Sequence, residues 1–286
     1  SAALAKRLAQ AGEGAGALAV LMLDALDLSA TPDWRPWAAE AERIEPDRLA
    51  CLIYTSGTGG PPKGVMLPHR AMLSNCRGAY ALYGHLLGPG DVYLSFLPLS
   101  HSYERTVGQF FLLSVGATIH YSRGIEHLAS ELTEVRPTIV TVVPRLLEVI
   151  RGRILSGLGR QPGWKRALFN AALAAGLRRE EGRASIADRL LDPLFDRLVR
   201  ETVRARFGGR VKGVISGGAR LDPTVGKFFR ALGIPLAQGY GQTEAGPVIS
   251  CSPIERVRIE TVGPPLEGVQ VSFSDEGEIQ IRGDLV

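Results

Sequence analysis

"LIYTSGTGGPPKGVML", Leu52–Leu67, sets an apolar run before a loop rich in hydroxyls and glycine, then a lysine. The element after that loop decides the fold. A strand, an anion loop and then a helix would make a conventional nucleoside-triphosphatase core, with a loop of the form G-x-x-x-x-G-K-[ST]. Here Pro62 precedes Lys63 and Gly64 comes after it. "GVML" has the apolar character of a second strand, so no helix N-terminus faces a phosphate. The ingredients of an anion grip are still present. Gly57, Gly59 and Gly60 let backbone N–H groups approach a phosphate; Thr55, Ser56 and Thr58 add hydroxyl donors; Lys63 adds a mobile charge. A plain surface turn needs none of these hydroxyls.

Outward from the loop, apolar runs alternate with helical patterns. "ALAVLMLD" (17–24), "LACLIYT" (49–55), "DVYLSFLPL" (91–99), "ATIHYS" (117–122), "PTIVTVVP" (137–144), "RVKGVIS" (210–216) and "IPLAQGY" (234–240) suit strands, the first two as buried ones. "HRAMLSNCRGAYALYG" (69–84), "TVGQFFLLSVG" (106–116), "IEHLASELTEV" (125–135) and "DPTVGKFFRAL" (222–232) have helical spacing, the last with Asp222 and Pro223 as cap and first turn. Residues 145–206 read as mainly helical, interrupted near 157–163 and at Gly182. The pattern predicts an α/β fold of stacked, mostly parallel sheets covered by helices. "LEGVQVSFSDEGEIQIRGDLV" (266–286) alternates about a "DEG" turn, as a hairpin does. The expected division is a first α/β subdomain over 1–124, a second with a helical insertion over 125–252, and the start of a small β-barrel over 253–286. Both ends fall in mid-pattern, so the sequence reads as cut from a longer chain.

Hydrophobic residues make up 45% of the 286 and charged residues 22%, which excludes a disordered chain. No apolar run is long enough to span a membrane, and "SAALAKRLAQ" reads as an amphipathic helix and not a secretion signal. Cys51, Cys76 and Cys251 lack metal spacing and fit a reduced, cytoplasmic setting. The net charge of +4 is uneven: Arg151–Lys212 carries 15 Arg/Lys against 6 Asp/Glu. That excess fits either a solvated helical face or an anionic surface, such as the inner face of a membrane. No nucleic-acid partner is expected.

"YTSGTGGPPKGVMLPHR" (54–70) resembles the phosphate loop of the acyl-adenylate-forming enzymes, which include acyl-CoA synthetases, adenylation domains and luciferases. The family has a second Thr where Gly59 stands. "LPLSHSYERT" (97–106), "VISGGARLDP" (214–223), "QGYGQTEAGP" (238–247) and "TVGPPLEGVQV" (261–271) with "GEIQIRGD" (277–284) resemble four further family segments, in the family's order. "SHSYERT" and "TVVPRLLEVI" are most similar to the long-chain fatty acyl-CoA synthetases.

The resemblance implies a site. Thr55, Ser56, Gly57, Thr58, Gly59, Gly60 and Lys63 would hold the β- and γ-phosphates of ATP. Gly218, Ala219, Gln238, Gly239 and Tyr240 would form the adenine slot, with Tyr240 stacking. Thr243 would contact the α-phosphate; Glu244, with Thr55, would hold Mg²⁺. His101 would lie near the acyl group. The implied reaction turns a fatty acid and ATP into acyl-AMP, then passes the acyl group to CoA. Alternatives are a non-catalytic nucleotide-binding module or a ligase for another carboxylic acid. No G-x-S-x-G elbow surrounds Ser216, so a hydrolase gains no support.

Overall fold

The computed structural model describes Asp33, residues 35–55 and residues 61–286. The strand expected at 17–24 and the loop residues Ser56, Gly57, Thr58, Gly59 and Gly60 lie outside the described residues. The chain forms two compact units, Ser1–Glu45 and Pro46–Val286. In the first, helix α1 spans Arg35–Ala41.

The second unit opens with β1 (Leu49–Thr55) and β2 (Lys63–Pro68), an antiparallel pair in which Thr55 faces Lys63 across the open end. The strand–loop–strand expectation holds, but burial differs from the reading of 49–55. Only Ile53 of β1 is buried; Leu49, Leu52 and Tyr54 are exposed. A two-stranded ribbon has one covered face, so alternate apolar residues stay in water however apolar the run.

Pro68 starts α2 (His69–Tyr83), whose inner face buries Ala71, Met72, Asn75, Gly78 and Tyr83. Among the described residues the main sheet has six strands. They are β3 (Val92–Ser95), β4 (Thr118–Tyr121), β5 (Ile139–Val142), β6 (Gly213–Ser216), β7 (Leu236–Gly241) and β8 (Val248–Cys251), in the order β4-β3-β5-β6-β7-β8. The first five run parallel and β8 is antiparallel to β7. Helices cover the parallel strands. All four residues of β5 and of β6 are buried, the expected state of central parallel strands packed on both faces.

The helix expected at 106–116 begins earlier and is wound differently. Glu104–Phe111 forms a π-helix that ends in α3 (Leu112–Ser114), and Gly116 stops it at φ +75°. Its anchor is Glu104, fully buried, whose carboxylate accepts from Tyr93 Oη (2.8 Å), Ser95 Oγ (2.6 Å) and Thr141 Oγ1 (3.0 Å). Burial pushes the Glu104 carboxyl above its usual range against those three hydroxyls. Gly108 has no room for a side chain: a Cβ would lie 2.7 Å from the Glu104 carboxyl and from Tyr93 Oη.

Helix α4 (Leu128–Val135) connects the edge strand β4 to β5. The helical insertion comprises α5 (Pro144–Gly159), α6 (Gly163–Glu180), α7 (Ile186–Phe195), a π-turn at Asp196–Arg200 and α8 (Glu201–Ala205). Ser185 and Asp188 form a capping box on α7, and Asp188 also pairs with Arg178 of α6. The insertion packs on α9 (Pro223–Ala231), whose Asp222 caps the Thr224 N–H at 2.7 Å. Phe169, Phe207, Phe228 and Phe229 fill the space between them, each burial contributing about 1.5–3 kcal/mol. The hairpin expected near the C-terminal end is β9 (Gln270–Phe273) with β10 (Ile279–Arg282), and Gly277 turns it at φ +82°.

Candidate active site

Strands β5, β6 and β7 deliver their carboxyl ends to one edge of the sheet, where open α/β folds place ligands. A cavity of about 350 Å³ lies there. Of the residues expected at the site, Thr55, His101, Gly218, Gly239, Tyr240, Thr243 and Glu244 line it.

Each lining segment has a local reason for its shape. Gly217 sits on the ring of Tyr103, 2.8 Å from where a Cβ would be, and Tyr103 donates to Ile215 O at 3.0 Å. The next residue, Gly218, turns out of β6 at φ +79°, which only glycine adopts freely. A side chain at Gly241 would collide with the Pro247 carbonyl, so the β7–β8 connection closes tightly. Asn75 of α2 then pins that connection: its amide donates to Ala245 O (3.0 Å), and its oxygen accepts from the Val248 N–H (2.6 Å). Thr243 and Glu244 sit in the single 3₁₀ turn so held. Ser102 Oγ lies 3.2 Å from Thr243 Oγ1 and ties the His101 segment to the same turn. His101 Nδ1 accepts the Tyr103 N–H at 3.2 Å, and Nε2 has no hydrogen-bond partner among the described residues.

Other expected residues stand elsewhere. Gln238 is buried, and its amide donates to Ile259 O (2.7 Å) and Thr261 O (3.0 Å), bracing the 259–261 loop. Ala219 is exposed beyond the lining, and Lys63 is exposed at the mouth of the β1–β2 hairpin, opposite Thr55. The sequence reading missed Asn75, Ser102, Tyr103 and Glu104. Asn75 carries no local signal, because its partners lie about 170 positions away. The other three stand in the quoted "SHSYERT" stretch, where only His101 drew attention.

The cavity lining combines two chemistries. Thr55, His101, Ser102, Thr243 and Glu244 supply oxygen and nitrogen, and Ala79, Val107, Phe111, Ile139, Ile215 and Leu266 supply apolar surface. Tyr83, Phe111, Ile139, Ile215, Cys251 and Leu266 belong to one buried apolar cluster, with Tyr83 Oη donating to Ser252 O at 2.6 Å. Burial pushes the Cys251 thiol up to about 11, so it packs as an apolar group and not as a nucleophile. Thr55 and Glu244 are hard oxygen donors facing one space, a set that suits Mg²⁺ when phosphates and water complete the shell. Among the described residues, no three His, Cys, Asp or Glu side chains form a metal cage.

The AMP-binding enzyme family matches residues 2–286, and the chain belongs to that family. It is 32% identical to the long-chain-fatty-acid–CoA ligase FadD15 of Mycobacterium bovis, over 99% of this chain and 47% of that protein. It is 34% identical to fatty acyl-CoA synthetase A of Dictyostelium discoideum, over 84% of this chain and 35% of that one. The chain thus spans half or less of the length of the curated relatives it matches. In fold it is similar to a long-chain-fatty-acid-CoA ligase from Archaeoglobus fulgidus (TM-score 0.59, 21% identity, 85% of this chain and 44% of that one). ATP-bound MatB from Rhodopseudomonas palustris is equally similar (TM-score 0.59, 23% identity, 85% and 41%).

Proposed function

We propose that this chain is the ATP- and acyl-binding core of a long-chain fatty-acid–CoA ligase. The observation that carries the proposal is one cavity lined both by a buried apolar cluster and by hydroxyls, a histidine and a carboxylate. The names of the relatives point to the same acid.

The chemistry suits that arrangement. A fatty-acid carboxylate oxygen attacks the α-phosphorus of ATP, the bond to the bridging oxygen breaks, and pyrophosphate leaves. The CoA thiol then attacks the acyl carbonyl, and AMP departs. The Thr243 hydroxyl donates to the α-phosphate, where charge concentrates during transfer. Thr55 and Glu244 would hold a Mg²⁺ ion, which would supply positive charge against the phosphates. Lys63 and the loop Ser56–Gly60 grip the β- and γ-phosphates. The backbone of Gly218, Ala219 and Gln238–Tyr240 cradles the adenine, with Tyr240 stacked on it. The apolar walls exclude water from the mixed anhydride, and Nε2 of His101 faces its acyl end.

The subdomain limits at 124 and 252 belong to the same reading. So do a cytoplasmic setting and a peripheral contact of helices 151–212 with the inner face of a membrane. Among the described residues no helix is long and apolar enough to cross a membrane.

Pyrophosphate exchange tests the proposal, run on this chain and on a longer chain containing it. Exchange that requires a long-chain fatty acid and vanishes in Glu244→Ala is expected. ATP binding without acid-dependent exchange would make the chain a nucleotide-binding module. Exchange with short or aromatic acids alone would change the substrate class, and release of orthophosphate would mark a different reaction.

A further inference from the structure

The helical insertion encloses a second cavity, of about 430 Å³, that shares no lining residue with the first. Its size is within the roughly 300–1,000 Å³ of small-molecule sites. Ile154, Phe169, Val199 and Val203 form a buried apolar floor, and Trp164 and Leu198 stand at the mouth with 65% and 50% of their surface exposed. A side chain at Gly157 would meet nothing within 4 Å, so the crevice is open above α5.

The basic side chains of the insertion fall into two groups, paired and unpaired, and Arg151, Arg153, Arg160, Arg166, Arg189 and Arg197, which do not line the crevice, are among those with no ion pair among the described residues. Arg178, Arg179, Arg183, Arg200 and Arg204 of the same insertion each hold a carboxylate. Lys165 and Arg206, both in the lining, form no ion pair among the described residues. Lys165 Nζ instead lies 5.5 Å from the centre of the Trp164 ring. Unpaired cations alone do not mark this crevice, since others stand elsewhere on the insertion; what marks it is that Lys165 and Arg206 line an apolar crevice whose lip is the Trp164 ring. That combination matches a ligand with an apolar body and an anionic end.

We propose that this crevice is a second binding site, for a single-chain anionic amphiphile of the fatty-acid class. The chain lies on Ile154, Phe169, Val199 and Val203, and the head group pairs with Lys165 and Arg206. The site is argued from the crevice alone, so it stands apart from the reaction proposed for the other cavity. Occupying it bridges α5, α6 and the Asp196–Ala205 segment, whose residues line it together.

A fatty acid with a diazirine in its tail, photolysed on the full chain and mapped by peptide mass spectrometry, tests both sites in one experiment. Labels are expected on 154–169 and 198–206. The Lys165→Glu/Arg206→Glu variant weakens that labelling about tenfold, as loss of charge-assisted contacts does. Gly157→Trp fills the crevice and removes the labelling. Label on Glu104–Phe111, whose Val107 and Phe111 line the other cavity, is unchanged in these variants. If Gly157→Trp melts early, the charge variant, altered only at exposed positions, decides. Label confined to Glu104–Phe111 overturns this inference and leaves the proposed function standing. Label confined to the crevice supports the inference and counts against the proposed function. Crevice label that appears only with anionic vesicles, or that a neutral alcohol of equal length displaces as well as the acid, overturns the site.

Discussion

The two structures that meet at the first cavity are held in opposite ways. The β7–β8 connection with Thr243 and Glu244 rises from buried strands, is closed by Gly241 against Pro247, and is pinned by the buried Asn75. The β1–β2 hairpin brings Thr55 and Lys63 on a ribbon whose Tyr54 and Met66 are 69% and 66% exposed. The difference matches the tasks assigned to each. Donors at a reacting phosphorus act best when fixed beforehand, because reorganisation then adds nothing to the barrier. A grip on phosphates that must depart as pyrophosphate gains from being able to yield.

If that contrast is right, Glu244→Ala has the largest effect. It removes the carboxylate proposed to act at the reacting phosphate and should lower acid-dependent pyrophosphate exchange by about 10²–10³-fold, the range for loss of one fixed electrostatic group. The melting temperature should barely move, because Glu244 is exposed. A loss below about tenfold would break the assignment of this turn to the reacting centre.

Next in size is the buried side of the comparison. Glu104→Ala leaves the hydroxyls of Tyr93, Ser95 and Thr141 without their shared acceptor and opens a void. Destabilisation of about 2–4 kcal/mol is expected, seen as a lower urea midpoint at unchanged m-value. Leu52→Ala on the exposed face of the hairpin should change stability by less than about 1 kcal/mol. The raised Glu104 carboxyl also predicts a pH signature. Its folded pKa lies above the unfolded 4.5, so the native state holds its proton to higher pH than the unfolded chain. Its contribution is complete below 4.5 and is lost as pH rises through the folded value. Wild type should therefore gain stability relative to Glu104→Gln as neutral solution is acidified toward pH 4.5, and an opposite trend would refute the assigned shift.

These residues show why the sequence told one half of the site better than the other. The groups proposed to touch a ligand lie in short stretches whose chemistry is readable: "GYGQTE" has the glycines, hydroxyl and carboxylate together. The supports do not. Asn75 is one amide in an amphipathic helix, and Glu104 looks like an ordinary helical glutamate until β3 and β5 close over it. The π-winding of Glu104–Phe111 accompanies that burial, and local propensity carries no trace of it. Gln238 shows the converse: it stands in a readable stretch, yet its side-chain amide bonds the 259–261 loop, which leaves its backbone for the proposed adenine slot. Strand positions were legible because parallel strands are continuous apolar runs. The exposure of β1 was not, because periodicity does not report what covers a face.

A smaller pair of changes tests the contrast directly. Asn75→Ala frees the Thr243–Glu244 turn without touching a ligand and should lower kcat by about tenfold, with the KM for ATP nearly unchanged. Lys63→Ala should do the reverse, raising the KM for ATP by about tenfold with a smaller effect on kcat, since an exposed, mobile charge binds ground state and transition state alike. The same split in both variants would show that the two structures are not mechanically distinct.

The smallest effect belongs to Gly59, where the resemblance leads one to expect a hydroxyl. Restoring it as Gly59→Thr adds one donor to a loop that already offers Ser56, Thr58 and Lys63. One hydrogen bond contributes about 0.5–1.5 kcal/mol net, or roughly two- to tenfold in ATP affinity. Part of that is offset if Gly59 uses a backbone conformation closed to threonine. A gain of a few-fold in ATP affinity with kcat unchanged is therefore expected, measured by calorimetry and exchange kinetics. A change in kcat larger than the change in affinity would mean that the hairpin loop takes part in the chemical step, and the division between fixed and yielding halves would have to be redrawn.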